Sequence, residues 1–392
     1  MTNNIMNTYG RLDIAFERGE GAYLWDTNNN KYLDALGGIA VCGLGHTHPD
    51  ISKAISEQAH KLIHTSNLYR IPAQEKLATQ LCELSGMESV FFSNSGAEAN
   101  EAAIKIARLF GHDKGIHDPI IIVMETSFHG RTLATLTATG NRKIQAGFEP
   151  LVHGFARVPY NDIEAIRAVA KNTKNVVAVL VEPIQGEGGI NIPDSQYLNE
   201  IRSLCDEHDW LMMLDEIQTG MCRTGQWFAH QHNNIKPDVM TLAKSLGNGF
   251  PIGACVAGSK AASVFKPGNH GSTYGGNPLA CHVASTVIET MQKIGANELA
   301  QNMGNYMLDE FKTKLKNQPA VTDVRGKGMM LGIQLDQPCG ELVANAAKQG
   351  LLINVASERV IRLLPPLIFG KTEADTTIDT ICKLINEFTT RK

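Results

Sequence analysis

Lys244 stands directly after an apolar run and directly before Ser245-Leu246-Gly247-Asn248-Gly249. A buried ammonium without a partner is expensive, so a lysine in such a place finds a counter-charge or gives up its proton. As a neutral amine it would attack an aldehyde and hold it as an imine. Asp215 ends a second apolar run, Trp210 to Leu214. A carboxylate on the floor of a cleft keeps a pyridine-type nitrogen protonated and so makes such a ring an electron sink. Gln218, three residues on, can bond an oxygen of the same ring, though alone it is uninformative. Taken singly, Lys244 reads equally as a strand-end lysine with its head in water, and Asp215 as a capping residue. Together they suggest a site.

Two further clusters bear on the same chemistry. Ser95-Gly96-Ala97-Glu98 has the spacing of a capping box, and it opens a helical pattern that runs through Lys105 to Phe110. Small residues at a helix N-terminus leave backbone N–H groups and the positive dipole end free for a phosphate, though plain capping explains the motif as well. Phe128-His129-Gly130-Arg131 offers an aromatic ring to stack on a planar group, or simply to pack in a core. Arg131 adds a planar fork for a carboxylate, with a surface ion pair as its ordinary alternative.

These residues share a position relative to the elements that must hold them. Short apolar runs occur at Val90 to Phe92, Ile120 to Met124, Val176 to Val181, Leu211 to Leu214, Met240 to Ala243 and Ile252 to Ala257. Their composition predicts strands buried on both faces, and helical spacing between several of them predicts an α/β fold around a mostly parallel sheet. A polar or glycine-rich cluster follows each of the first five runs. At the carboxyl ends of parallel strands, five such clusters converge on one crevice.

The flanking segments read differently. Tyr23 to Asp26 and Lys31 to Asp34 predict a hairpin turning through Asn28-Asn29-Asn30. Beyond Ala284, helical stretches (Ala284 to Ile294, Leu299 to Leu315, Glu373 to Phe388) alternate with strands near Met329 to Gln334 and Val360 to Leu364. The expected division is residues 1–65 as an N-terminal segment packing with the small domain, 66–283 as the large domain, and 284–392 as a smaller α+β domain.

Composition removes other classes. The 392 residues carry a net charge of -4, with 43% hydrophobic and 19% charged residues. That balance supplies no electrostatic reason for a nucleic-acid or membrane partner. The eight cysteines are scattered without a C-x-x-C pair, as reduced core thiols would be. Neither a secretory signal nor a spanning apolar run is present, so the expected location is cytoplasmic. The glycine-rich stretches Gly326 to Gly332 and Gly247 to Gly253 lack the spacing of a dinucleotide loop. His46-Thr47-His48 and His230-Gln231-His232 lack the further ligands of a metal site, and no metal is expected.

Taken together the clusters resemble the class III aminotransferases of the fold-type-I pyridoxal-phosphate family. The likeness is collinear from Arg18-Gly19-Glu20-Gly21 to Ile361-Arg362-Leu363-Leu364-Pro365-Pro366, and is most specific at Leu214 to Gly220 and Asp238 to Gly253. It implies pyridoxal 5′-phosphate bound to Lys244, which also shuttles the proton. It implies Asp215 at the ring nitrogen, Gln218 at the ring oxygen, Phe128 stacked on the ring, and Gly96 and Ala97 on the phosphate. Thr273 would reach that phosphate from the second subunit of a homodimer, and Ser272 and Arg131 would contact substrate. Glu187 and Arg362 would form a gate that masks the arginine for an ω-amino donor and frees it for an α-carboxylate. Within the class, Gly38 to Val41, Leu44-Gly45-His46 and Glu187-Gly188-Gly189 are similar to members whose donor is N-acetylornithine and whose acceptor is 2-oxoglutarate, converted to glutamate. Ornithine, succinylornithine, succinyl-diaminopimelate and 4-aminobutyrate are the alternative donors.

Overall fold

A computed structural model describes residues 4–390. Three short strands open it: β1 (Phe16–Glu20), β2 (Tyr23–Asp26) and β3 (Lys31–Asp34). The turn between β2 and β3 is built by Asp26, whose carboxylate accepts the N–H groups of Asn28 and Asn30, while Asn29 takes φ 62°. Asparagine tolerates that conformation and the aspartate side chain mimics the missing backbone partner, so the expected hairpin forms where its turn residues place it.

Seven strands form the central sheet: β4 (Ser89–Ser93), β5 (Ile120–Met124), β6 (Phe155–Val158), β7 (Val176–Val181), β8 (Leu211–Asp215), β9 (Val239–Leu242) and β10 (Gly253–Ala257). Their order is β4-β10-β9-β8-β7-β5-β6. The pairs from β9 through β6 are parallel, and β10 runs against both of its neighbours. The sheet is therefore mostly parallel, as its apolar runs imply. Alternate residues serve opposite faces. Ile121, Val123, Leu180, Leu211 and Met213 pack on the alanine-rich side of the helix Gly96–Asp113. Ile122, Met124, Val181, Met212 and Leu214 pack on Tyr197, Leu198 and Ile201 of the helix Tyr197–Glu207. Burial on both faces explains why these strands read as unbroken apolar runs. Edge strand β6 does not read so: its Phe-Ala-Arg-Val sequence is only partly buried, and no apolar run announces it.

The C-terminal region carries an antiparallel sheet in the order β11-β12-β15-β14, from β11 (Val321–Lys327), β12 (Met330–Leu335), β14 (Asn354–Ala356) and β15 (Val360–Leu363). The two-residue strand β13 (Leu351–Leu352) pairs instead with β3, in parallel, so the opening hairpin and the C-terminal region share a sheet. The expected boundary at 283/284 falls inside one continuous helix, Pro278–Ile294. Asn277 caps it by accepting the Ala280 N–H, Pro278 occupies its first turn, and Gly295 ends it at φ 64°. Those are ordinary start and stop signals, and the apolar pattern from Ala284 alone hides the first turns. No helix among the described residues is long and apolar enough to cross a membrane.

Candidate active site

The carboxyl ends of β4, β5, β7, β8 and β9 open on one cavity of ≈ 380 Å³. Because β10 is antiparallel, its amino end lies there too, with Gly253 opposite Ser93. Lys244, Asp215, Gln218, Gly96, Ala97, Phe128, Arg131 and Glu187 all line this cavity. Ser272, Thr273 and Arg362 do not, though Ser272 accepts a hydrogen bond from Asn94, which does. Thr273 is exposed.

Lys244 follows β9 by two residues and takes φ 44°, a left-handed conformation that a non-glycine residue adopts at a cost. Burial lowers its amine to about 8. Glu187, Asp215 and Glu182 push the other way and Arg362 adds to the lowering, and burial prevails; Asp215 lies 2.8 Å from His129 Nδ1, and Glu187 pairs with Arg362. An amine so placed gives up its proton near neutral pH and becomes a nucleophile.

Asp215 ends β8 and is 4% exposed. Its Oδ2 meets both His129 Nδ1 and the side-chain amide of Asn100, each at 2.8 Å, and its Oδ1 accepts the Ile217 N–H. Asn100 also donates to the His129 carbonyl and accepts from the Thr241 hydroxyl. The carboxylate is thus fixed from behind by three elements and aimed into the cavity. Asn100 and Thr241 carry no signal in the sequence, since asparagine in a helix and threonine in a strand are ordinary. His129 lay within a recognised cluster, yet its role appears only when β5 and β8 come together.

The helix Gly96–Asp113 presents its N-terminus to the same cavity. Ser95 caps it by accepting the Glu98 N–H, and the Glu98 carboxylate reaches back to the Asn94 N–H, one residue before the usual capping-box partner. Gly96 and Ala97 keep their first-turn N–H groups unspent by the helix itself. A side chain at Gly96 would press into Ile217, so glycine lets the helix start approach the strand end. Opposite it, Phe128 donates its N–H to Glu182, and the Arg131 guanidinium lies 5.9 Å from the Phe128 ring centre. Glu182 also accepts the Gly186 N–H, and burial raises its carboxyl to about 7.

Gln218 is buried with its carboxamide oxygen unpartnered, and so is Nε2 of His129. Orphaned polar atoms inside a cavity call for a polar ligand. A helix N-terminus for a phosphate, a carboxylate for a ring nitrogen, an aromatic ring for stacking, an unsatisfied amide and a neutral-prone amine together fit pyridoxal phosphate.

Arg362 projects from β15 and is only 1% exposed, whereas Glu187 is 39% exposed. They meet at 2.6 Å, and Asn354 takes a second amine of the guanidinium at 2.8 Å. The histidines set aside as metal ligands have other partners. His46 bonds Asp34, His230 bonds Glu216, and His232 bonds Thr224. All eight cysteines are free.

The chain matches the family profile described as aminotransferase class-III over residues 5–385. It is 58% identical over 386 residues to the acetylornithine aminotransferase of Nitrosomonas europaea, covering 98% of each chain. To acetylornithine aminotransferase 1 of Bordetella bronchiseptica it is 52% identical, covering 99% of each. Among solved structures, the ornithine aminotransferase of Toxoplasma gondii superposes with a TM-score of 0.96 at 32% identity, covering 100% of this chain and 94% of that one. The N-acetylornithine aminotransferase of Stenotrophomonas maltophilia gives 0.85 at 37% identity, covering 98% of each.

Proposed function

This chain belongs to the class-III aminotransferase family, and from that premise we propose that it transfers the δ-amino group of N2-acetyl-L-ornithine to 2-oxoglutarate. The products are N-acetylglutamate 5-semialdehyde and L-glutamate, a step of arginine biosynthesis. The observation that carries the reaction class is that Lys244 and Asp215, at the carboxyl ends of adjacent strands, line one cavity. The donor follows from relatives of 44–58% identity named acetylornithine aminotransferase.

Pyridoxal 5′-phosphate, when bound, supplies the aldehyde that captures the amine and the ring that spreads the negative charge of the deprotonated carbon. The protein orients and holds charge. Lys244 would carry the cofactor and then move the proton between the two reacting carbons, a task suited to an amine near neutrality. Asp215, clamped by His129 and Asn100, would keep the ring nitrogen protonated. Gln218 would bond the ring oxygen, Phe128 would cover the ring face, and Gly96 and Ala97 would bind phosphate. Arg131, with Ser272 at the cavity edge, would take the carboxylate distal to the reacting amine.

Donor and acceptor use the same cavity in turn, so one arginine must be hidden for the first and open for the second. Glu187 on Arg362 supplies that cover. Thr273 is exposed, and we assign it to the phosphate of the neighbouring site in a homodimer. We retain the expected division into an N-terminal segment, a large and a small domain, with the second boundary moved to Gly295. A cytoplasmic location suits the eight free thiols.

Steady-state rates with a panel of ω-amino donors against 2-oxoglutarate test the assignment. N-acetylornithine is expected to give the highest kcat/KM. A clear preference for free ornithine would overturn the donor, and absence of glutamate among the products would overturn the reaction.

A further inference from the structure

The turn bearing Glu187 is tied through its backbone carbonyls to the sheet that carries Arg362. From Glu187 to Ile190, four successive backbone carbonyls are held by two side chains of the C-terminal region. Ser357 directs its hydroxyl at the carbonyls of Gly188, at 2.8 Å, and Glu187, at 3.4 Å. Arg325, on β11, donates from Nη2 to Gly189 at 2.6 Å and from Nε to Ile190 at 2.8 Å. Its remaining amine, Nη1, is braced by Asp323 and Gln334. Every part of the guanidinium is therefore used, and the fork cannot swing without losing several charge-assisted bonds at once. The loop itself is tight: Gln185 and Asn191 close it as a two-bond bridge, with Gly189 at φ 110° and Ile190 at φ 55°.

We propose that Arg325 and Ser357 are positioning residues of the substrate switch: they bolt the backbone of Glu187 to the sheet that bears Arg362, so that the gate opens by rotation of the Glu187 side chain alone. The inference rests on the gating role assigned above to Glu187 and Arg362. Its consequence is that the two partners travel as one body. Movement of the C-terminal region carries both, and cannot by itself unmask the arginine. A loosened loop pairs Glu187 with Arg362 less often, which exposes the guanidinium to α-carboxylates in the half-reaction that should exclude them.

The two half-reactions are followed separately on the holoenzyme, with glutamate and with N-acetylornithine, in Arg325→Met, Ser357→Ala, Glu187→Ala and the double variant Arg325→Met/Glu187→Ala. Arg325→Met is expected to raise the ratio of kcat/KM for glutamate over N-acetylornithine by about tenfold, within the ordinary range of coupling between groups. Ser357→Ala, a milder change that keeps the fold, moves the ratio the same way by a smaller factor. Glu187→Ala moves it at least as far, and the double variant adds nothing to Glu187→Ala. Amide hydrogen exchange across residues 186–191 rises in both positioning variants. If Glu187→Ala shifts the ratio while Arg325→Met and Ser357→Ala depress both half-reactions equally, the bolt is refuted and the gate survives. An unchanged ratio in Glu187→Ala refutes the gate itself.

Discussion

His129 Nδ1 and Asp215 Oδ2 stand 2.8 Å apart at the bottom of the cavity, with His129 wholly buried and its Nε2 left without a partner. The contact joins the loop after β5 to the end of β8, and it fixes one lone pair of a carboxylate whose other oxygen is held by the Ile217 N–H. A carboxylate so restrained needs no reorganisation to face a ring nitrogen. Asp215→Asn is expected to lower kcat by about 10²–10³-fold, the scale for loss of a preorganised charge partner. His129→Phe, which removes the support and leaves the acid, should cost about 10–100-fold. Single-turnover rates with N-acetylornithine measure both. Equal losses in the two variants would mean that His129 does more than orient its neighbour.

The lowered amine of Lys244 has a pH signature in the cofactor-free protein. Below about 8 the side chain is protonated and cannot attack the aldehyde; above it, the neutral form dominates. The rate of recombination with pyridoxal phosphate should therefore climb with pH and level off past about 8, and Lys244→Ala should show neither recombination at this site nor turnover. Linkage gives a second reading with its own sign. The folded state sheds this proton near 8 and the unfolded chain near 10.5, so the group penalises folding at low pH and the penalty fades between those values. Denaturant midpoints of the cofactor-free protein should rise across that window, less so in Lys244→Met.

The central sheet was legible because burial on both faces writes itself into sequence as apolar runs, and the crevice because polar clusters follow those runs. Asp215 ends β8, and Gln218 and Lys244 follow β8 and β9 closely enough that strand order alone brings the three together. What sequence hides is long-range pairing. Asn100 meets Asp215 across 115 positions, and Arg325 meets Gly189 across 136. Neither residue has a local pattern to mark it. Arg325 even lies beside Gly326 to Gly332, a stretch whose glycines draw attention to a dinucleotide loop whose spacing it lacks. The start of the helix at Pro278 was missed for a different reason: its first turns are marked by a cap, not by periodicity.

His46 offers a stability test outside the catalytic groups. Burial alone would lower its imidazole, but the hydrogen bond to Asp34 and the neighbouring Cys42 push it up to about 9. A histidine raised in the folded state stabilises fully below its unfolded value near 6.5, and the contribution is lost as pH climbs through about 9. The melting temperature should fall between those values, and the fall should be shallower in His46→Gln, whose amide keeps a hydrogen bond without a titrating charge. Parallel profiles for the two proteins would assign the slope to other groups.

Gly186 lies against Gln218 so closely that a methyl group on it would stand 2.1 Å from the carboxamide oxygen. That oxygen is the far end of a flexible side chain, so Gly186→Ala should displace it and leave the fold intact. The same glycine gives its N–H to Glu182, a bond the substitution preserves. The expected result is a protein of nearly unchanged melting temperature in the cofactor-free state, with cofactor affinity weakened by about tenfold, as for loss of one hydrogen bond to a charged group. Gln218→Ala should weaken the cofactor to a similar degree, and the double variant no further, because both changes remove one contact. Spectroscopic titration of the cofactor-free proteins measures each constant. If Gly186→Ala binds as tightly as wild type while Gln218→Ala does not, the methyl group has found room and the close approach of the two residues is not what aims the carboxamide.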